Sequence, residues 1–518
     1  MTHLDLNPNP CAYTAPPSVQ PGWIGRRPYL TTPQGGKIIV DRYVLGLWRF
    51  ANQRNLAQAL SWAEQQGLPR WAAASAVVCL VEAGLLSRRG EQVAPGIASE
   101  EEIHTPELRQ NGELVSVVIV SYNSRDWLPA CLSSLQAQTY SNLEIVLVDN
   151  GSSDGSLEWV REHYPETRCI RMTPAASLAH AINQGIQASA GAYYLILNPD
   201  VRLEPGAMAY MVAAARREAR CAAVAAKLRF LWAPTFLNGL GNFVGALSWG
   251  TDSALGHLDL GQFDDWRELP SACFAAALIP AAAMRDVGWL DEGFPMYYED
   301  SEWCYRARLL GYRVRAAPQA VVYHAFSSRE PGEEQSGLGA VKLRNVVYGR
   351  LRFVVRLLGS ATLARFLLSY ALEDLANIIA ALLRRRWAMA QAYAQAWGDF
   401  RKALPALRVE RKLLQNQRRC GDRELFALQK QLPLTLIWRG LPLLTWDSIC
   451  HYYAPWLMAQ RTQDYPEFRE QEAEARVLNP GTASRPLWRR LIEMQRAEGA
   501  LAALHRFAKI IQWKLMQP

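Results

Sequence analysis

The chain has 518 residues, half of them apolar, and a formal net charge of +8. This length predicts roughly three domains of ~150 residues with sizeable cores. Nine cysteines are scattered without a C-x-x-C pair, which argues against a disulfide framework or a zinc site and favours a reducing compartment. The first 30 residues are Pro-rich and lack a signal-peptide pattern. No run of ~18 uninterrupted apolar residues occurs, so we expect no membrane-spanning helix.

The N-terminal part is predicted to contain an arm and a small domain. Residues 1–36 are rich in Pro, Asn and Thr and are expected to form a loosely held arm. Residues 37–90 begin with a short strand and continue as three helices and a wing-like strand, so they resemble a small winged-helix domain. Its predicted third helix has one basic residue, Arg70, against Glu82. We therefore expect no nucleic-acid binding and favour a structural or acceptor-docking role. Residues 91–113 form a polar, acidic linker.

The next segment alternates strands with helices, which predicts a parallel sheet with crossover helices. Apolar β-branched runs mark the strands, and apolar residues at helical spacing mark the helices. The predicted strands are Val115–Val120, Leu143–Val148, Cys169–Met172 and Ala192–Leu197, and the helices are Asp126–Gln138, Ser152–Tyr164 and Ser177–Ser189.

Polar side chains follow three of these strands. Open α/β sheets bind ligands at the carboxyl ends of their strands. We therefore expect a binding crevice on this edge of the sheet, with Tyr122, Asn123, Asp149 and Asn150 on its rim.

Six short motifs occur in a specific order along this segment. They are SYN at 121–123, VDNGSSDGS at 148–156, NQG at 183–185, LNPD at 197–200, YYEDSEWCYRARLLGY at 297–312 and VVYH at 321–324. In their order and spacing they resemble the catalytic domain of glycosyltransferase family 2, and LNPDV resembles its rhamnosyltransferase-like branch. The resemblance implies an α/β, Rossmann-like nucleotide-sugar-binding domain of the GT-A type, which we assign to residues 114–335.

The resemblance also implies roles for the site residues. The donor nucleotide-sugar would contact Ser121, Tyr122, Asn123, Asp149, Asn150, Asn183, Asn198 and Asp200. Asp200 and His324 would hold a divalent cation, Mg²⁺ or Mn²⁺, while Asn198 replaces the first acid of the family's Asp-x-Asp motif.

On the acceptor side, Asp300 would be the catalytic base, with Asp291 and Glu299 beside it. From the residues alone, Asp149 also reads as a turn residue, Asp200 as a strand-end cap and Asp300 as a helix cap.

Residues 336–518 are predicted to form a helical, basic C-terminal region, with no function assigned to 420–518. Residues 340–420 contain 16 Lys and Arg against 4 Asp and Glu. Apolar residues at helical spacing precede Arg384, Arg385 and Arg386. This pattern predicts either a basic surface on an anionic membrane or a helical cap on the catalytic domain.

These patterns predict an inverting, metal-dependent glycosyltransferase that uses a UDP- or dTDP-sugar, with dTDP-rhamnose as one candidate. The acceptor would be a hydroxyl of a cell-surface polysaccharide or lipid-linked glycan. One alternative is a peptide or protein acceptor docked by the N-terminal domain. Another is a non-catalytic nucleotide-sugar-binding regulator. The expected location is cytoplasmic, either free or peripheral on the inner face of the plasma membrane.

Overall fold

The computed structural model describes residues 13–88, 112–244, 250–326, 339–431 and 435–461. Most of the predicted linker and residues 462–518 lie outside the described residues, as do residues 1–12.

An N-terminal domain contains short strands and three helices. Asp41 and Asn55 cap the first two helices through their side chains. The expectation of a loose arm is wrong for residues 13–31, because they form strands whose Leu30 is buried in the domain core. The winged-helix assignment stays a prediction. The elements are β1 Tyr13–Thr14, β2 Pro21–Ile24, β3 Arg27–Thr31, β4 Lys37–Val40, α1 Arg42–Ala51, α2 Leu56–Gln65, α3 Arg70–Glu82 and β5 Ser87–Arg88.

The central domain is a mixed sheet with helices packed on it. Its elements are β6 Val115–Ser121, α4 Leu128–Gln136, β7 Leu143–Asp149, α5 Ser156–His163, β8 Arg168–Arg171, α6 Leu178–Gln187, β9 Tyr193–Leu197, β10 Val201–Leu203, α7 Ala207–Arg216, β11 Cys221–Phe230, β12 Ala233–Gly239, β13 Asn242–Val244, β14 Gly250–Asp252, β15 Glu268–Leu269, β16 Ala276–Pro280, α8 Ala281–Val287, α9 Glu299–Leu309 and β17 Arg313–His324. The strand order is β10-β17-β11-β16-β9-β6-β7-β8. As predicted, β9, β6, β7 and β8 are parallel, whereas β16 is antiparallel to its neighbours. The α/β fold class is confirmed.

The strand register determines which side chains meet at the edge of the sheet. At the carboxyl ends of β6, β7 and β8, Ser121 lies opposite Asp149, and Asp149 lies opposite Arg171. At the other side of the sheet, His324 ends β17 and pairs with Val201 of β10. Because Asp200 directly precedes Val201, this register brings His324 beside it.

Three long helices follow the central domain, and the first of them packs against α9 and against the other two. They are α10 Ala340–Leu357, α11 Ser360–Leu383 and α12 Trp387–Asn416, followed by α13 Asp422–Leu425 and a 3-10 turn at Ala427–Gln431. Tyr305 of α9 and Phe353 of α10 share one core, with ring centroids 5.2 Å apart. The predicted helical C-terminal region is confirmed for these residues.

Three arginines of α10, here called the arginine clamp (Arg350, Arg352 and Arg356), join α10 to the central domain and to α11. Arg352 donates two hydrogen bonds of 2.7 Å to Asp291, and Arg356 pairs with Asp291 and with Glu302 of α9. Arg350 pairs with Glu373 and Asp374 of α11. Part of the basic excess of residues 340–420 is therefore used inside the protein.

The chain then returns to the N-terminal domain. It forms β18 Ile437–Trp438, β19 Leu441–Leu444, α14 Trp446–Ser448, a π-helical turn at Ile449–Tyr453 and α15 Ala454–Arg461. β19 pairs in parallel with β4, which gives the sheet order β18-β19-β4-β3-β2. A continuous helical region from residue 336 is therefore wrong at residues 437–444, which complete the N-terminal sheet.

Within the part of the chain that the structure describes, α11 is long and apolar enough to cross a membrane. The expectation that no such helix exists is corrected. The search for an uninterrupted apolar run missed α11 because Glu373 and Asp374 interrupt its sequence. In the structure both carboxylates face Arg350, and only 22% of the helix's apolar window is buried.

We predict that Arg350→Leu lowers the free energy of unfolding by about 3–5 kcal/mol, because it removes the buried cation that pairs with Glu373 and Asp374. The matched control is Arg344→Leu on the same helix, where the arginine is 44% exposed and pairs with Asp399. The control should cost about 1 kcal/mol or less. Denaturant titration measures both, and equal losses would show that burial of the Arg350 pairs is unimportant.

Candidate active site

The donor side of the crevice begins at the polar row on β6, β7 and β8. Asp149 is fully buried at the end of β7, where its Oδ1 accepts the backbone N–H of Ser152 at 3.3 Å. Its Oδ2 lies 3.5 Å from Arg171 Nε. Asp149 can act both as a turn residue and as a donor-binding residue, because one oxygen holds the turn and the other faces Arg171.

The loops that follow β6 and β7 are tied to each other. Asn123, in a left-handed conformation with φ of 48°, accepts the N–H of Ser153 and donates its own to the hydroxyl of Ser152, at 2.9 and 3.0 Å. Tyr122 is exposed beside them. Asn150 exchanges two hydrogen bonds with the backbone of Ala176, so its amide fixes the far wall of a cleft. This cleft has a volume of about 340 Å³ and is lined by Gly151, Ser152, Arg171, Met172, Thr173, Pro174 and Ala175.

Asn183 lies behind the crevice. Its side chain is buried, and it exchanges hydrogen bonds of 3.0 and 3.1 Å with the backbone of Leu290. It also donates to Glu292 at 2.9 Å. With its amide fully used, Asn183 is suited to positioning the loop at Leu290–Glu292 rather than to touching a ligand.

Asp200 and His324 are the pair in which sequence reasoning expects a cation. Asp200 Oδ1 lies 3.3 Å from His324 Nε2, and both side chains are buried. Asn238 Oδ1 lies 2.7 Å from His324 Nδ1. Because an amide oxygen only accepts, this contact places a proton on Nδ1, and Nε2 faces Asp200. Asn198 Nδ2 is 3.4 Å from the same Nε2.

This geometry fits a divalent cation with few protein ligands. Two donors about 2.1 Å from such an ion at a right angle lie about 3 Å apart, close to the observed separation. The described residues contain no group of three His, Cys, Asp or Glu that could hold a metal. The protein thus offers two ligands here, and the shell would be completed by phosphate oxygens and water, as Mg²⁺ and Mn²⁺ sites at phosphates commonly are.

Asp300 lies in the first turn of α9. Its Oδ2 accepts a hydrogen bond from Asn242 Nδ2, and its Oδ1 accepts one from the N–H of Ser301, each at 2.6 Å. The backbone of Phe274 also bonds to it. The positive end of the α9 dipole adds to these donors in stabilising the carboxylate.

The backbone before Asp300 is strained. Tyr297 and Tyr298 both adopt left-handed conformations, with φ of 71° and 72°, which cost free energy for non-glycine residues. The Tyr298 hydroxyl accepts the N–H of Gly250 at 2.8 Å. A Cβ at Gly349 of α10 would lie 2.9 Å from the Tyr298 ring, so α10 must have glycine there to hold this turn.

Two other carboxyl groups, those of Glu299 and Asp252, lie close enough to Asp300 to feel its charge. Burial, followed by the charge of Asp300, raises the pKa of Glu299 to about 8. Burial and the same charge raise the pKa of Asp252 to about 7, although His324 opposes the shift. Burial also raises the pKa of Asp300, but its donors oppose this, whereas Glu299 Oε2 has no hydrogen-bond partner among the residues that the structure describes. Asp300 is therefore the group that ionises first, with Glu299 protonated beside it at neutral pH.

Asp291 is bound by two arginines of the clamp, Arg352 and Arg356. Although burial opposes the shift, the hydrogen bond from Arg352 and the charge of Arg356 lower the pKa of Asp291. This residue anchors the loop that leads to Asp300 and is poorly placed to accept a proton.

Sequence reasoning missed Arg171, Asn238, Asn242 and Asp252. Arg171 is the penultimate residue of the predicted strand Cys169–Met172, so its place near the sheet edge was available from the pattern. The other three lie on β12, β13 and β14, which carry no motif and reach the site only through tertiary pairing. Their sequence offered no comparable signal.

Comparison with known proteins bears on this domain. Residues 116–279 match the family model described as "Glycosyl transferase family 2". This domain belongs to glycosyltransferase family 2. With the observed sheet, this match confirms the predicted GT-A type of fold.

The similar curated proteins differ in their sequence identity to this chain and in the length of the matched segment. An uncharacterized glycosyltransferase, YibD of Escherichia coli K12, is 36% identical over 95 residues, 18% of this chain and 27% of the relative. An N-acetylglucosaminyl-diphospho-decaprenol L-rhamnosyltransferase of Mycobacterium tuberculosis is 26% identical over 238 residues, 41% of this chain and 76% of the relative. The chain spans only 27% and 30% of the length of YibD and of GlyG from Streptococcus pneumoniae, two of these relatives.

Among solved structures, Staphylococcus aureus TarS 1–349 in complex with UDP-GlcNAc aligns with a TM-score of 0.39 at 15% identity, over 58% of this chain and 86% of that one. A Pyrobaculum calidifontis mannosyltransferase in complex with GDP-Man and Mn²⁺ aligns with a TM-score of 0.35 at 18% identity, over 56% and 86%.

The raised pKa of Glu299 leads to a prediction about stability. Between pH 4.5 and about 8 the folded protein keeps a proton that the unfolded chain has lost, so stability falls as pH rises through this range. Glu299→Gln should therefore raise the melting temperature at pH 8 relative to wild type and change it little at pH 4.5. The matched control Glu162→Gln, at an exposed position, should show no such pH-dependent gain. If Glu299→Gln gains equally at both pH values, the native carboxyl is not protonated as proposed.

Proposed function

We propose that this protein transfers a sugar from a nucleoside-diphosphate donor to a hydroxyl group, with inversion at the anomeric carbon. The observation that carries the proposal is a hydrogen-bonded carboxylate in the neighbourhood of a carboxylate–histidine pair. The carboxylate is Asp300, which accepts a hydrogen bond from Asn242, and the pair is Asp200 and His324. Asp252 lies near enough to Asp300 and to His324 for both to act on its pKa.

The chemistry assigned to the residues is a single displacement. Asp300 accepts the proton of the acceptor hydroxyl as its oxygen forms a bond to the anomeric carbon. The bond from that carbon to the diphosphate oxygen breaks, and the diphosphate leaves with the electron pair. A divalent cation bound by Asp200 and His324 would neutralise the charge on this leaving group. Attack on the face opposite the leaving group gives inversion.

The donor is proposed to carry uracil or thymine. Asp149 can accept the imide N–H of either base, and the cleft beside Arg171 is open to a nucleoside. Resemblance to a relative named as an L-rhamnosyltransferase supports dTDP-rhamnose as one candidate sugar donor. The proposed acceptor is a lipid-linked or cell-surface glycan, which would put the reaction in the cytoplasm or at the inner face of the plasma membrane.

A second candidate changes only the acceptor. Between α1 and α2 lies an open depression of about 390 Å³, where Phe50 and Trp62 stack with ring centroids 5.4 Å apart. An aromatic-lined surface of this kind favours a peptide or protein acceptor docked by the N-terminal domain. Incubation of the enzyme and donor with glycan and peptide acceptors separates the two. If the protein binds the donor but neither transfers its sugar to any acceptor nor hydrolyses it, a non-catalytic regulator is favoured instead.

We predict that Asp300→Asn lowers turnover by about 10²–10⁴-fold while leaving donor affinity near that of wild type, because the base acts only in the transition state. Turnover and calorimetric donor binding are measured on the same preparation. Asp265→Asn removes an exposed carboxylate of the same domain and should change neither quantity. Near-wild-type turnover in Asp300→Asn would remove Asp300 from the role of base.

We also predict that Asp200→Ala and His324→Ala each weaken cation-dependent donor binding. Asn238→Ala should weaken it about 10–100-fold by freeing the imidazole. Titration of UDP and dTDP with and without Mn²⁺ measures the effect, and His163→Ala, an exposed histidine on α5, is the matched control. Full transfer activity in excess chelator would refute the cation's role.

A further inference from the structure

The two sides of α11 are reversed relative to those of an ordinary surface helix. Its exposed side is a continuous apolar stripe, interrupted only by Arg365. We call this the α11 stripe, and it comprises Ala361, Ala364, Leu368, Ala371, Leu372, Leu375, Ala376, Ile379, Leu382 and Leu383. These positions recur every three or four residues, so they form one face along the helix. A surface helix of a soluble protein presents its polar face to water.

The two carboxylates of α11 face the protein instead. Arg350 of the arginine clamp pairs with Glu373 and Asp374, and Asp374 also accepts a hydrogen bond from Trp397 of α12 at 2.8 Å. The Arg350 guanidinium lies 4.5 Å from the ring centroid of Tyr370. These inward contacts fix the rotation of α11 about its axis, so the stripe cannot turn inward without breaking buried ion pairs.

We propose that the α11 stripe docks in the surface of an anionic lipid bilayer, with the helix lying in the plane of the membrane. This inference goes beyond the transfer reaction and does not depend on it. An in-plane amphipathic helix buries its apolar face about 5–10 Å into the boundary between headgroups and acyl chains. At 1.5 Å per residue, the 24 residues of α11 give a contact about 36 Å long.

The charges around the stripe favour anionic lipid. Arg365 lies within it, and Arg384, Arg385 and Arg386 follow its C-terminal end, all exposed. Trp387, also exposed, comes next, and Trp is enriched at membrane interfaces. Both carboxylates of α11 face inward, so the outward surface carries only positive charge beside its apolar residues.

The same charges disfavour a second copy of this chain as the occupant. A parallel pairing of two stripes would bring the two Arg384–Arg386 clusters together. An antiparallel pairing would bring each cluster towards the partner's Arg365. Neither arrangement offers an exposed carboxylate on α11 to neutralise these charges. A spanning orientation is also disfavoured, because the packed helix α12 exposes Arg401, Lys402 and Lys412.

The experiment is co-sedimentation of the full chain with vesicles of phosphatidylglycerol and phosphatidylcholine, and with phosphatidylcholine alone. Wild type should bind the anionic vesicles, with affinity falling as salt is raised. The stripe variant Leu372→Gln/Ile379→Gln changes residues that are 61% and 49% exposed. We expect it to bind about a hundredfold more weakly, about tenfold for each lost apolar side chain.

Two further variants test the parts of the proposal. The matched control Val409→Gln/Leu413→Gln changes two residues of α12 that are each 63% exposed, and it should bind within about threefold of wild type. Arg384→Gln/Arg385→Gln/Arg386→Gln should lose on the order of a hundredfold on anionic vesicles. Donor turnover in solution should be unchanged in the stripe variant, so loss of docking is distinguishable from loss of fold or of activity.

Three results would overturn the proposal. The first is wild-type protein that stays in the supernatant with anionic vesicles at low salt. The second is a stripe variant that binds as tightly as wild type. The third is a wild-type dimer in sedimentation velocity that the stripe variant dissociates, which would assign the stripe to a second copy. A failure to detect glycosyl transfer would leave the docking result standing.

Discussion

The arginine clamp on α10 is the interaction on which both ends of the molecule depend. Arg352 and Arg356 hold Asp291 and Glu302, on either side of the strained turn that presents Asp300. Arg350 holds the two carboxylates of α11. Each of these charges is buried, and removing one partner would strand the other in a medium of low dielectric. One helix therefore fixes the position of the proposed base and the outward direction of the apolar stripe.

The half of the site formed by consecutive strands was predictable from the sequence. Buried runs ending in Ser121, Asp149 and Asp200 predict polar side chains at one edge of a parallel sheet, and the structure places them there. The contact between Asp200 and His324 follows from antiparallel pairing of β10 with β17, more than a hundred residues later. The local sequence pattern carries no information on such pairing, so only the family resemblance predicted that Asp200 and His324 lie close together.

The remaining parts were not predictable because they depend on distant contacts. The N-terminal strands are short and rich in Pro, so they read as an arm until β19 completes their sheet from the other end of the chain. Asn238 and Asn242 are ordinary polar residues whose importance comes from the groups they face, His324 and Asp300. The apolar character of α11 was also missed, because its two inward-facing carboxylates interrupt the run of apolar residues by which such a helix is recognised in a sequence.

The division of charge among the carboxyl groups connects this packing to the proposed chemistry. Asp300 and Glu299 are neighbours with the same chemical character, yet only Asp300 is surrounded by hydrogen-bond donors. Ionisation of one carboxylate in a buried pair raises the pKa of the other, so the donors around Asp300 decide which group carries the negative charge. Asn242 supplies one donor from β13, and the strained turn before α9 aims the carboxylate at it. The carboxylate that carries the charge, and hence the proposed base, is thus selected by tertiary packing and not by residue type, which is why a sequence motif with two adjacent acids cannot by itself distinguish them.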